Sequence, residues 1–255
     1  MKFTDTHCHL ADPLFRDNLP DIITEAEASG ICRFIVPSTH AADFADVAAL
    51  NGLPQVHIAF GIHPWFTESA VDADLNRLEN FLQQYPQAWV GEIGLDFYDK
   101  NQTLAAREYQ ILWLTQQLKL AQQYCRPVIL HNLKATAALV AVVKATCFTQ
   151  GGIAHAFSGS LEEARSLTAC GFKIGIGSLL LNPTAKKARQ AARELPLSEI
   201  VLETDSPFML ANSVNVPANV RKIAEIVAEL RGVPVETVAE ATERNVEALL
   251  GKCES

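Results

Sequence analysis

The sequence predicts an α/β protein built as a single (β/α)8 barrel of the TIM type over residues 1–255. Three observations predict it. Eight short β-type runs recur along the chain and are apolar on both faces, as parallel strands covered on both sides require. Stretches with helical periodicity separate them. Residues with metal-ligand chemistry stand at the ends of many different runs, which suits a barrel mouth. An open doubly wound sheet is the structural alternative, but it gathers its site mainly at one switch point.

The β-type runs are residues 3–7, 32–37, 56–61, 88–93, 127–131, 152–155, 172–177 and 200–203. Between the first two, residues 20–30 carry Pro20 in the first turn and Gly30 at the end, the usual punctuation of a helix. Residues 103–124 form a long helical stretch with Leu104, Ile111, Leu114, Leu118 and Ala121 along one stripe. Residues 217–230 place Ile223, Ile226, Val227 and Leu230 at helical spacing before Gly232, and residues 234–250 do the same with Val235, Val238, Val246, Leu249 and Leu250. These stripes are expected to pack against the sheet. No linker-like stretch interrupts the alternation.

Composition narrows the function classes. With 49% apolar and 20% charged residues the chain is ordinary globular material. No segment approaches the ~18 apolar residues that cross a bilayer. The N-terminus places one lysine before Asp5, His7 and His9 and does not read as a signal peptide, so a cytoplasmic location is expected. Cys8, Cys32, Cys125, Cys147, Cys170 and Cys253 are scattered with no C-x-x-C pair, which reads as small hydrophobes or plain thiols in a reducing compartment. A net charge of −8 argues against broad non-specific binding to nucleic acid or anionic membrane.

The chemistry-bearing residues start at Asp5-Thr6-His7-Cys8-His9. Residues two apart on a strand face the same way, so His7 and His9 would project together and Cys8 away from them. Gly61-Ile62-His63-Pro64 closes the third run, Gly91-Glu92-Ile93-Gly94-Leu95-Asp96-Phe97-Tyr98 the fourth, His131 the fifth, His155 the sixth, and Glu203-Thr204-Asp205-Ser206-Pro207 the eighth. His7, His9, Glu92, His131, His155 and Asp205 offer four imidazoles and two carboxylates, more than one tetrahedral ion uses and about right for two divalent ions. Each also has a plainer reading. His131 and His155 would serve as satisfied core histidines, Asp205 as a loop cap before Pro207, and His63 as a turn residue before Pro64. Glu92 lies in an otherwise buried run, where a carboxylate needs a cation or several donors. His40 and His57 fit no strand end and are read as structural.

On these motifs the chain resembles the TatD family of metal-dependent deoxyribonucleases within the amidohydrolase-like barrels, and within it the YjjV-like branch. The resemblance runs from Asp5 to near the C-terminus, through Gly61–Pro64, Gly91–Asp96, Pro127–His131, His155-Ala156-Phe157-Ser158-Gly159 and Glu203–Pro207. It implies one metal held by His7, His9 and Asp205, a second by His131 and His155, and Glu92 bridging them. It implies Asp205 as the general base toward the attacking water, with His63, Asp96 and Tyr98 lining the substrate side. Mixed imidazole and carboxylate ligands suit Zn, Mn, Fe, Co or Ni, with Mg as a further ion that supports turnover. The implied substrate is DNA, as single-stranded ends, or a small phosphodiester, with no membrane and no obligate protein partner.

The chain departs from the family pattern in two places. Relatives often carry Ser-Arg after the fifth-run histidine, where this chain has Asn132-Leu133-Lys134. The loop from Phe208 to Pro217 lacks the basic residue that relatives place before the asparagine. Both places lie where a phosphate would be gripped, which keeps open an amidohydrolase-like enzyme for a small amide, lactone or ester. A barrel that binds metal or a partner without turnover is a third reading, disfavoured by the complete ligand set. Lys186, Arg189 and Arg193 would fall on one face of a helix near a common phosphate position, or form a solvated outer face.

Overall fold

The computed structural model describes residues 1–251, so Cys253 and the end of the domain expected over 1–255 lie outside the described residues. Strands β1 (Phe3–Asp5), β2 (Ile31–Pro37), β3 (Val56–Phe60), β4 (Trp89–Asp96), β5 (Val128–Leu133), β6 (Gly152–Ala154), β7 (Phe172–Ile176) and β8 (Ile200–Leu202) pair in sequence order. Every pairing is parallel. The helices between them are α1 (Leu19–Ala28), α2 (Phe44–Ala49), α3 (Asp72–Gln84), α4 (Leu104–Gln123), α5 (Thr136–Ala145), α6 (Leu161–Thr168) and α7 (Lys186–Glu194), followed by α8 (Val220–Arg231) and α9 (Val235–Leu250). Each predicted β-type run is therefore a strand of a (β/α)8 barrel. No helix among the described residues is long and apolar enough to cross a membrane.

The period of two along each strand divides the core. Phe34 and Val36 belong to the large apolar layer shared with the helices, whereas Ile35 joins Ala59, Trp89, Ile129, Ile153 and Val201 in a smaller cluster inside the barrel. Val246 and Leu249 of α9 complete that inner cluster. They close the N-terminal end of the barrel, where Asn245 also donates to the carbonyls of Leu197 and Ile200 at 2.8 and 2.7 Å. With that end filled, the C-terminal end is the open one.

Helix α4 differs from its predicted stripe. Leu104 is exposed, and the buried face runs through Gln110, Trp113, Leu114, Gln117, Leu118 and Ala121. The two glutamines are buried because each pairs open backbone beside a strand end. Gln117 accepts from the Ile62 N–H at 2.7 Å and donates to the Ile62 carbonyl at 3.0 Å, while Gln110 accepts from the Asp96 N–H at 2.9 Å. A stripe drawn from apolar residues alone cannot see them.

Between β1 and β8 the barrel closes through backbone bonds, most of them just past the two strands, rather than through a regular ladder. The Thr6 N–H donates to the Leu202 carbonyl at 3.0 Å, the Asp205 N–H to the His7 carbonyl at 2.8 Å, and the His9 N–H to the Ser206 carbonyl at 2.7 Å. Asp5, fully buried, fastens this seam. Its carboxyl accepts from the Thr204 N–H at 2.9 Å, the Thr204 hydroxyl at 2.5 Å and the His7 N–H at 3.3 Å. Burial pushes its pKa well above the ordinary carboxylate value in spite of those donors. Asp5→Ala leaves buried donors unpaired, each costing about 1–3 kcal/mol. The expected outcome is a loss of about 3 kcal/mol or more in urea-induced unfolding, and a loss below about 1 kcal/mol would show that the seam holds without Asp5.

Candidate metal centre

The open end of the barrel gathers its polar side chains by backbone anchoring. His63 follows β3, where its N–H is held by the Thr39 carbonyl at 2.7 Å. Its Nδ1 accepts from the Trp65 N–H at 3.1 Å, which turns Nε2 toward the barrel axis. The Glu92 N–H donates to the Ser38 carbonyl at 2.8 Å and the His155 N–H to the Leu130 carbonyl at 3.0 Å. Asp205 adopts φ +59°, the left-handed region, held by the seam bond to His7.

Glu92 stands at the centre. Its Oε1 lies 2.6 Å from His155 Nε2, 3.1 Å from His131 Nδ1 and 3.3 Å from His63 Nε2. Its Oε2 lies 3.2 Å from His7 Nε2 and 3.8 Å from His9 Nε2. On the far side of those two imidazoles, Asp205 Oδ1 is 3.6 Å from His7 Nε2 and 3.4 Å from His9 Nε2.

These distances test whether a metal fits. His7 Nε2 and His9 Nε2 are only 3.1 Å apart. Donor atoms bonded at about 2.0–2.1 Å in a tetrahedron are separated by roughly 3.3 Å, so the His7, His9 and Asp205 atoms already sit near the edge lengths of one coordination shell. Among the described residues, ligand atoms also converge in two further groups, His63 with Glu92 and His131, and His7 with Glu92 and His155. The structure thus brings His7, His9, Glu92, His131, His155 and Asp205 together. It also brings in His63, expected on the substrate side, as close to Glu92 as His7 is.

The electrostatics follow from burying carboxylates among imidazoles. Burial opposes ionisation of Glu92, but His155, His63 and His7 around it hold its pKa well below the usual carboxylate range. Asp205 is lowered too, against burial, through His9 and His7. Burial and the neighbouring His155 lower His7 to about 4, so it is a neutral imidazole with a free lone pair. Burial would lower His155 as well, yet Glu92 outweighs it and raises His155 to about 10.

Among the remaining predicted residues, Asp96 Oδ2 lies 3.0 Å from His131 Nε2 and accepts from Trp65 Nε1 at 2.8 Å. Burial works against it, but His131, the Tyr98 N–H and Trp65 bring it down to about 2. Tyr98 gives that backbone N–H at 2.9 Å, while its ring is exposed and outside the cavity wall. Above the cluster is a cavity of about 630 Å³, walled by His9, Asp12, His63, Asp205 and a group of apolar side chains including Trp65 and Phe208. Among the described residues no lysine or arginine lines it. The basic run lies on α7, whose Ala188, Ala191 and Ala192 face the core and whose Arg193 pairs with Glu194 at 2.9 Å.

Sequence reasoning gave no role to Asp5, Gln110 and Gln117, which support strand ends. Glu203, at the end of the eighth run, is buried beside Gly175 and Gly177, accepts from the Ala156 N–H next to His155, and is pushed by burial up to about 7. The signal for Asp5 was available: it is an acid inside an apolar run, the same argument that singled out Glu92.

A family model described as TatD related DNase matches residues 4–251. The chain belongs to the TatD-related DNase family. It is 34% identical over 97% of its length to an uncharacterized metal-dependent hydrolase of Escherichia coli K12, YjjV, covering 97% of that protein. The crystal structure of E. coli YjjV, a TatD homologue, superposes with a TM-score of 0.91, covering 97% of each chain. Human deoxyribonuclease TATDN3 is 29% identical over 97% of this chain and 94% of its own. The chain is therefore a metal-dependent hydrolase of the TatD type with a (β/α)8 barrel.

A TatD-type cluster with these proton affinities makes metal uptake pH-dependent. The folded protein holds a proton on His155 up to about pH 10, and His9 and His131 are also raised. A cation must displace those protons, because only the neutral imidazole is a ligand. Metal affinity is expected to climb as pH rises from 6 to 9, with at least about one proton released per chain at pH 7. Titration calorimetry in two buffers of different ionisation enthalpy measures this, and zero release would contradict the assignment of raised imidazoles.

Proposed function

We propose that this chain is a two-metal phosphodiesterase acting on DNA ends or on small phosphodiesters. The observation that carries the reading is Glu92: its two oxygens face two different groups of donors, Oε2 toward His7 and His9 and Oε1 toward His63, His131 and His155. That arrangement supports one ion held by His7, His9 and Asp205, and a second by His131 and His155, with Glu92 between them and His63 beside the second. Divalent ions there, whether Zn, Mn, Mg, Co, Ni or Fe, supply charge that polarises a phosphoryl oxygen and lowers the pKa of water. The deoxyribonuclease TATDN3 supports the phosphodiester assignment by similarity.

In this mechanism Asp205 is the general base. It is ionised at neutral pH, is held in one backbone conformation and lines the cavity. A water oxygen forms a bond to phosphorus, the ester P–O bond breaks, and the water proton passes to Asp205 and then to the departing alkoxide. Asp96, which is not part of the cavity wall, fixes the His131 ring and the Trp65 indole, and His63 flanks the substrate with Tyr98 at the outer edge. The cysteines described as free, Cys8, Cys32, Cys125, Cys147 and Cys170, suit work in a reducing compartment such as the cytoplasm. One observation favours a second reading, an amidohydrolase-like enzyme for a small amide, lactone or ester: among the described residues the cavity wall has no lysine or arginine for a phosphate.

A hydrolysis panel covering single-stranded DNA, RNA, small phosphodiesters, and small amides and lactones separates the two. The expected result is phosphodiester cleavage that chelation abolishes and a divalent ion restores. Asp205→Asn should lower turnover by about 10²–10⁴-fold with little loss of stability. Cleavage of amides or lactones alone would select the second reading, and near-normal turnover of the variant would move the base to Glu203 or His63.

A further inference from the structure

The cavity wall carries two aromatic side chains that folding leaves open. Trp65 is 70% exposed and Phe208 is 46% exposed. They stand on different sides of the ligand cluster. The Trp65 ring packs edge-on against His63 at 4.9 Å between centroids and lies 6.3 Å from His131. Phe208 packs against His9 at 5.5 Å.

Trp65 is not loose. Its Nε1 donates to Asp96 Oδ2 at 2.8 Å, and Asp96 also contacts His131. The indole is thus anchored at one edge and registered to the ligand cluster, with its remaining surface in water. A rigid exposed ring beside a hydrolytic centre is suited to a planar ligand group, because ring faces stack with little loss of side-chain freedom. The other walls point the same way. Phe66, Leu133, Leu179 and Met209 are apolar, and the acidic groups are Asp12, Glu92 and Asp205. With no lysine or arginine in the wall among the described residues and a chain charge of −8, phosphates beyond the one at the ligand cluster meet no strongly cationic side chain there. The volume of about 630 Å³ is that of a site for a compact ligand.

Resting on the phosphodiester reading above, we propose that Trp65 and Phe208 are two base-stacking subsites flanking the ligand cluster. The preferred substrate is then a phosphodiester of dinucleotide size, and longer strands gain no affinity from their additional phosphates. Stacking, rather than cationic grip, selects the substrate.

Three measurements on the metal-loaded enzyme test this. Trp89 and Trp113 are buried, at 0% and 3% exposure, so quenching of tryptophan fluorescence by a ligand in the cavity reads Trp65. Thymidine 5′-monophosphate should quench it saturably and ribose 5-phosphate should not. On dithymidine monophosphate, Trp65→Leu should raise KM by about 10- to 100-fold with a smaller change in kcat, while Trp65→Phe, which keeps a ring but loses the bond to Asp96, should keep most of the affinity. Two- and eight-residue oligothymidylates should give kcat/KM values within about threefold of each other and nearly flat salt dependence. Equal losses in the Phe and Leu variants would mean that Trp65 acts only through Asp96 and would overturn the proposal. So would a tenfold preference for the longer strand with a steep salt slope, or an absence of quenching. Saturable quenching without cleavage of any phosphodiester would uphold the stacking subsite while overturning the phosphodiester reading, which keeps the two failures apart.

Discussion

A carboxylate buried at the mouth of a barrel sets the terms for the groups around it. Glu92 is 3% exposed and meets five imidazoles within 3.8 Å. Isolated burial of that charge would cost far more than a single hydrogen bond returns, so it persists only with cationic or strongly donating neighbours. In the folded protein without metal, His155, His131 and His9 have raised proton affinities and serve as cationic partners, while His7 and His63 are lowered. With metal, the same geometry supplies lone pairs instead. One arrangement thereby offers the carboxylate partners in both conditions.

The rest of the structure holds those side chains in place at a modest cost in polar burial. The β1/β8 seam carries His7, His9 and Asp205, and Asp5 ties the two strands together through Thr204 and His7. Gln117 and Gln110 of α4 brace the backbone at Ile62 and Asp96, next to His63 and His131. Ser38 bonds Gly61 from one side while its carbonyl takes the Glu92 N–H. The site is therefore positioned by side chain-to-backbone bonds from buried polar residues. The apolar layers mainly hold the strands in register.

Much of this was legible before folding. The eight runs and their order follow from apolar periodicity, and the residues at their ends declare themselves because imidazoles and acids are costly next to buried strands. His7 and His9 were paired by the two-residue period of a strand, and the pair survives although β1 itself ends at Asp5. What stayed hidden has a common physical cause. Gln110 and Gln117 are polar residues that folding buries, and hydrophobic patterning alone assigns them outward. The openness of Trp65 and Phe208 depends on the paths of two loops after β3 and β8, which no local pattern records.

The central claim is that Glu92 lies between two ions. Crystals of the protein loaded with Mn or Zn, measured with anomalous diffraction at the metal edge, test it most directly. The account predicts two peaks about 3.5–4 Å apart, one against His7, His9 and Asp205, the other against His131 and His155, with a Glu92 oxygen on each. A single peak, or two peaks that leave Glu92 uncoordinated, would contradict it.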